Sequence, residues 1–300
     1  MLRASERKLL AESDFSPETQ SKWNSNFYFI QGADPQLGLM YVFGNKGTYP
    51  DSEWDEEIEL CRQSVDILNN LSPRPAFFVV CGDLVDAFND KFPEVRARQE
   101  KDFKEIYSKL SPDIPMICVC GNHDVGNSPT KESIENYKKS FGDDYFSFYK
   151  NGCCFIVLNS QFYEDSSNVP ELYKEHEDWL EAELQSAREA GVAHIIIFQH
   201  IPWFVQNPDE EKFYFNVEKD LRLKKLEELR KAGVKKVFCG HYHRNAGGFY
   251  KDLEVVVTSA IGCQIGPDKH GMRVVKVDQE KVSHEYFPLN NFPMRITLNE

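Results

Sequence analysis

Residues 116–126 read MICVCGNHDVG, an apolar run stopped by a glycine, with Asn122, His123 and Asp124 following without a spacer. Short apolar runs closed by turn residues mark buried strands, so Met116 to Cys120 is expected to be an inner strand. It would deliver three polar side chains together at its carboxyl end. In an α/β sheet that edge is where ligands bind.

The same pattern recurs on both sides. Upstream, Phe27 to Ile30 and Ala76 to Cys81 are strand candidates, while Ile58, Cys61, Val65 and Leu68, and later Phe103, Ile106 and Leu110, stand at helical spacing. Downstream, a helix over residues 178–190 closes at Gly191 before a strand over 194–199, and a helix over 221–232 closes at Gly233 before a strand over 234–239. Such alternation predicts parallel strands joined by crossover helices. Further strand candidates at 145–149, 153–158, 254–259, 273–277 and 282–287 are too many for one sheet. The expected fold is α/β, a four-layer α/β/β/α sandwich with two mixed sheets. No linker, charge block or repeat divides the chain, so a single domain over 23–300 is expected behind an N-terminal extension, 1–22.

Composition narrows the function. Against 35 basic residues stand 48 acidic ones, a formal charge of -13, which disfavours an extended nucleic-acid surface or an anionic membrane as partner. The first twenty residues lack the apolar stretch of a signal peptide, and no later run approaches a membrane span. A cytoplasmic location and a monomeric state are expected. Cys81, Cys118, Cys120, Cys154 and Cys239 lie in or beside apolar runs, where thiols pack as small hydrophobes rather than as a disulfide framework.

The residues just beyond each strand carry the chemistry. FYFI leads to Asp34, FFVVC to Gly82 and Asp83, MICVC to Gly121 and Asn122, IIIFQ to His200, and VFC to Gly240, His241, Tyr242 and His243. Alone, Gly-Asp after a strand is ordinary turn chemistry, and a lone histidine is more often structural. Together they are oxygen and nitrogen donors converging on one edge, and such a combination builds a metal centre.

The ordered motifs GDLVD at 82–86, GNHD at 121–124, the His200 strand end and GHYH at 240–243 resemble those of the calcineurin-like metallophosphoesterases, over residues 27–277. The stretches FYFIQGADPQ, GDDYFSFY, LNSQFYE, FQHIP, GHYHRNAGG and SAIGCQ are similar to a narrower group of that family, described as cytoplasmic serine/threonine phosphatases acting on Akt-family kinases. The resemblance implies two divalent ions, of manganese, magnesium, iron or zinc. Asp34 and His243 would bind the first, Asn122, His200 and His241 the second, and Asp83 both. With two carboxylates and a bridging hydroxide against two divalent ions, the centre keeps a positive charge for an anionic phosphate. The implied reaction is hydrolysis of a phosphomonoester by metal-activated hydroxide. His123 would donate a proton to the leaving oxygen, and Asp124 would hold its imidazole.

At its first motif the chain departs from the family's Asp-x-His, reading Asp34, Pro35, Gln36. An amide oxygen suits a hard ion better than zinc, iron or nickel, so Gln36 either ligates weakly or stays out of the shell. Asp86 either supports an imidazole or caps a turn. Arg244 either contacts phosphate or sits in an ion pair. Residues 87–98 and 207–215 are lid candidates, and Tyr163, Trp203 and Tyr242 either line a groove or belong to the core. Two other readings stay open. A phosphodiesterase or nucleotide hydrolase predicts a deeper pocket, and a scaffold with a decayed metal site is suggested by Gln36 alone.

Overall fold

The computed structural model describes residues 15–44 and 53–298. Residues 1–14 of the expected N-terminal extension lie outside that range. The strands are β1 Phe27–Gly32, β2 Phe78–Cys81, β3 Met116–Val119, β4 Phe146–Lys150, β5 Cys153–Val157, β6 His194–Phe198, β7 Val234–Cys239, β8 Ala246–Tyr250, β9 Leu253–Val257, β10 Gly271–Val277 and β11 Val282–Pro288. They form two sheets, ordered β11-β10-β1-β2-β3 and β4-β5-β6-β7-β9-β8. In the first, β1, β2 and β3 run parallel, β10 is antiparallel to β1, and β11 is antiparallel to β10. In the second, β5, β6, β7 and β9 run parallel, and β4 and β8 are antiparallel edges. Both sheets are therefore mixed.

Side chains alternate along a strand, so a strand buried on both faces serves two cores. Phe29, Val79, Ile117, Ile196 and Phe198 face the space between the sheets. Tyr28, Ile30, Phe78, Val80, Met116 and Cys118 face the helices outside the first sheet, and Ile195, Ile197 and Val237 those outside the second. Phenylalanine dominates the inter-sheet layer: Phe29 stacks on Phe77 at 4.6 Å, and Phe148 on Phe155 at 5.0 Å. Each fully buried ring contributes roughly 1.5 to 3 kcal/mol. Phe15 joins this layer against Phe148 at 5.9 Å, and its carbonyl accepts from Tyr149 N, so the described part of residues 1–22 is tied to β4.

The outer layers are helices such as Asp55–Asn70, Pro93–Tyr107, Pro170–Glu189 and Lys219–Lys231. The helix expected over 178–190 starts at Pro170, whose fixed φ suits a first helical turn. A helix at Lys131–Phe141 and the short strand β8 had no sequence expectation. The first buries Ile134, Tyr137 and Phe141 at helical spacing; the second, AGGFY, reads as a turn until β9 pairs with it. Among the described residues, no helix is long and apolar enough to cross a membrane.

Candidate metal centre

Parallel strands β1, β2 and β3 of one sheet and β6 and β7 of the other present their carboxyl ends to a common edge. Asp34 follows β1, Asp83 β2, Asn122 β3, His200 β6, and His241 and His243 β7, and all six are buried. The turns that carry them are bonded to one another: Asp34 N donates to the Gly82 carbonyl at 3.1 Å, Gln36 N to that of Asp83 at 2.9 Å, and Gly240 N to that of His200 at 3.1 Å. Asp34, Gln36, Asp83, His241 and His243 have φ of 49°, 36°, 48°, 70° and 52°. Non-glycine residues adopt this region at a cost on the order of 1 to 3 kcal/mol each, and a cluster of them is a mark of functional sites. The neighbouring glycines are needed for close approach. A Cβ on Gly121 would stand 2.1 Å from Asp83 Oδ1, and one on Gly82 2.2 Å from His200 Nδ1.

Asp83 belongs to two groups at once. The ligand atoms of Asp83, His200 and His241 lie within 4.8 Å of one another, as do those of Asp34, Asp83 and His243. Each imidazole has one nitrogen held by a backbone carbonyl: His200 Nδ1 by Cys81 at 2.9 Å, His243 Nδ1 by Cys263 at 2.6 Å, and His241 Nε2 by Tyr214 at 3.1 Å. A carbonyl only accepts, so the held nitrogen carries the hydrogen and the second nitrogen is the one available to a metal, as in metal-bound histidines. The free nitrogens face further acceptors. His200 Nε2 lies 3.2 Å from Asp83 Oδ2 and 3.0 Å from Asn122 Oδ1, and His243 Nε2 lies 3.4 Å from Asp34 Oδ1. In each case a ring nitrogen and carboxylate or amide oxygens converge in a buried site, an arrangement that a proton fills in the free protein and that suits a cation.

The titration of these groups supports that assignment. Burial pushes the Asp34 carboxyl well above the usual range, with His200 opposing and Asp83 adding to the rise. Burial acts the same way on Asp83, but His200 and His123 prevail and hold it below the usual range. Although burial works against its charged form, His200 is lifted to about 9 by Asp83 and Asp34. Burial lowers His243 to about 4 and His241 well below the usual imidazole value, so both are neutral ligands at neutral pH.

Gln36 fits the same picture. Its Nε2 donates to Asp86 Oδ1 at 2.9 Å, while its Oε1 is buried with no hydrogen-bond partner. An unsatisfied amide oxygen at this depth is costly, and a hard cation would satisfy it. The residues present therefore fit the divalent ions that the resemblance implies.

One expected role is corrected. Asp124 does not hold the His123 imidazole; its carboxylate accepts from Gly121 N at 2.7 Å and Leu84 N at 3.2 Å, and lies 3.6 Å from Arg96 Nη2. It shapes the turn rather than the imidazole. Burial, opposed by Arg96, raises it to about 6. The support for His123 is Asp86, whose carbonyl lies 2.6 Å and whose Oδ1 lies 3.3 Å from Nδ1. That engagement leaves Nε2 for a reacting group. Phe88 packs on the ring at 4.4 Å, and His123 N donates to Asp83 Oδ1 at 2.9 Å.

The weaker candidates separate. Arg244 Nη2 donates to the Ile265 carbonyl at 2.8 Å, and its guanidinium lies over Tyr242, so its contacts run to the 262–266 loop and its own turn. Trp203 and Tyr163 are core residues, while Tyr242 is half-buried. Of the first lid candidate, residues from Pro93 onward form a helix, and Arg96 within it donates to the His123 carbonyl at 2.6 Å. The second brings Tyr214 against Asn122 and His241. Arg96 and Tyr214 were not evident from sequence; the helical position of Arg96 and the aromatics among the acids of 207–215 were the available signals.

The chain is similar to known proteins in sequence and in fold. The sequence model of the calcineurin-like phosphoesterase family matches residues 54–245. The chain is 47% identical to the human serine/threonine-protein phosphatase CPPED1, covering 96% of this chain and 91% of that protein. It is 46% identical to its Danio rerio counterpart, over 98% and 94% of the two chains. Among solved structures, a dimetal phosphatase from Danio rerio aligns with a TM-score of 0.59 and 15% identity, covering 86% of this chain and 98% of that one. Purple acid phosphatase PPD1 from yellow lupin aligns at 0.60 and 13%, over 89% and 52%. At such identities the structural likeness is one of fold.

Proposed function

The chain belongs to the calcineurin-like phosphoesterases, and we propose from that premise that it is a metal-dependent serine/threonine protein phosphatase, with a phosphorylated Akt-family kinase as first candidate substrate. Identity near one half to serine/threonine-protein phosphatases over most of both chains supports the phosphoprotein substrate. The observation that carries the metal chemistry is the carboxylate of Asp83, common to two triads whose histidines are each oriented by a backbone carbonyl.

In this reading Asp34, His243 and the Gln36 amide oxygen would hold one divalent ion, Asn122, His200 and His241 would hold another, and Asp83 would serve both. Such ions supply positive charge for phosphoryl oxygens and lower the pKa of water. The protein's own residues do the rest. His123, fixed at Nδ1 by Asp86, gives a proton from Nε2 to the leaving serine or threonine oxygen. Arg96 holds the His123 carbonyl and with it the turn. With two carboxylates among the ligands, the loaded centre attracts a phosphate despite the chain's formal charge of -13. The eight cysteines, all free and buried, fit the reducing cytoplasm, where we expect a monomer.

The test is turnover by metal-stripped protein resupplied with manganese, magnesium, zinc or iron, on a phosphomonoester, a phosphodiester and a phosphoserine peptide from an Akt-family kinase. Metal-dependent hydrolysis of the peptide is expected, reduced by about 10² to 10⁴ in His123→Ala, the range of a lost general acid. Hydrolysis of the diester alone would replace the proposal with a phosphodiesterase. Absence of bound metal would leave a scaffold.

A further inference from the structure

The loop over residues 207–216 makes its hydrogen bonds to the metal centre through Tyr214. Asn122 Nδ2 donates to the Tyr214 hydroxyl at 3.3 Å, and the Tyr214 carbonyl accepts from His241 Nε2 at 3.1 Å. One residue thus touches two side chains of one ligand group by two different atoms. Its ring lies 5.1 Å from that of His241, and the Phe215 ring lies 5.3 Å from it.

The loop is built rather than loose. The Glu210 carboxylate accepts from Val205 N and Gln206 N, each at 2.9 Å, from Asn207 N at 3.0 Å and from Asn216 Nδ2 at 2.8 Å. Asn216 Oδ1 in turn accepts from Phe213 N at 2.9 Å, and the buried Arg222 donates to the Glu210 carbonyl. Tyr214 is nevertheless 55% exposed. Its side chain therefore adds little to the hydrophobic core, and its placement needs another explanation.

We propose that Tyr214 is a positioning residue that orients Asn122 and His241 as ligands, making the 207–216 loop a strap that sets affinity at one of the two metal positions. The inference rests on the reading of those residues as ligands. An asparagine presents either oxygen or NH₂, depending on which of the two is engaged elsewhere. The phenol takes the NH₂ of Asn122 and leaves Oδ1 toward His200 Nε2. The Tyr214 carbonyl likewise settles the His241 tautomer and leaves Nδ1 free. Partners of this kind are worth about 10- to 100-fold in metal affinity. Asp34 and His243 are oriented by other groups, the His241 amide and the Cys263 carbonyl, so the effect is confined to one position.

The experiment is titration of metal-stripped full-length protein with cobalt(II), followed by visible absorption and by equilibrium dialysis, for wild type, Tyr214→Phe and Glu210→Gln. Tyr214→Phe keeps the ring and the carbonyl and removes only the hydroxyl. About tenfold weaker binding at one position is expected, with an altered cobalt spectrum there and an unchanged second position. Glu210→Gln, which loosens the loop without touching a ligand, should weaken the same position. Turnover by Tyr214→Phe should return with excess metal at unchanged KM. Equal affinities in wild type and Tyr214→Phe would overturn the inference, as would a raised KM with metal binding intact, which would make Tyr214 a substrate contact. Absence of metal binding in wild type would remove the proposed function first, and this inference with it.

Discussion

For each residue of the centre, the atom already engaged decides which atom remains for chemistry. His200 shows the consequence for pH. Without an ion its folded pKa of about 9 lies above the unfolded value of about 6.5. The charged imidazole then contributes stability that is full below pH ~6.5 and lost as pH rises through about 9. An ion must expel that proton. Apparent metal affinity should therefore rise about tenfold per pH unit up to pH ~9 and flatten above it, while the melting temperature of the chelated protein falls over the same interval. Metal titrations and melts at a series of pH values check both slopes; a flat affinity profile would show that His200 is not a ligand. Gln36 offers the other residue-scale prediction. Gln36→His should tighten one metal position by about tenfold or more, since imidazole outranks an amide oxygen for transition metals; unchanged binding would put position 36 outside the shell.

The helix Pro93–Tyr107 and the turn after β3 depend on each other through Arg96. Its guanidinium bonds the Ala87 and His123 carbonyls, pairs with Glu100 at 2.8 Å, and faces Asp124 at 3.6 Å. The Arg96 and Asp124 side chains are 4% and 0% exposed. Removing one partner of a buried pair strands the other, at about 3 to 5 kcal/mol. Arg96→Met should therefore lower the denaturation midpoint by the equivalent of about 3 kcal/mol, and also reduce turnover through the displaced His123. Unchanged stability would mean that the backbone amides at Gly121 and Leu84 suffice to hold Asp124. The segment holding Arg96 was a lid candidate as a loop at a strand end, where specificity is commonly set. From Pro93 onward the segment is helix, and charge pairing carries Arg96 into the turn after β3.

Across the whole molecule, the two sheets meet through a phenylalanine layer and present their parallel strand ends to one edge, so candidate ligands more than two hundred residues apart in sequence share a few ångströms. Metal should therefore act as a cross-brace between the sheets. At free metal near 1,000 times Kd, binding adds about 4 kcal/mol, and chelation should lower the melting temperature by roughly 8 °C for a domain of this size. A melt insensitive to chelator would contradict a centre shared by both sheets. Much of this architecture was legible beforehand, because strands buried on both faces must be apolar runs, and runs such as MICVC and IIIFQ end abruptly where polar ligands begin. The candidate ligands were legible for the same reason: Asp34, Asp83, Asn122, His200, His241 and His243 each stand just past the end of their strand, and folding brings them to one buried site. Pairing across loops was not. That Asp86 rather than Asp124 supports His123, that Arg96 clamps the turn, and that Tyr214 touches two ligands depend on backbone turns with positive φ and on contacts between distant segments, which no local pattern encodes. Sequence determined every strand but β8 and what chemistry stands at the strand ends, since periodicity and side-chain type are local; tertiary structure alone decided which neighbour orients each candidate ligand, since hydrogen bonds are made between atoms that only folding brings within reach.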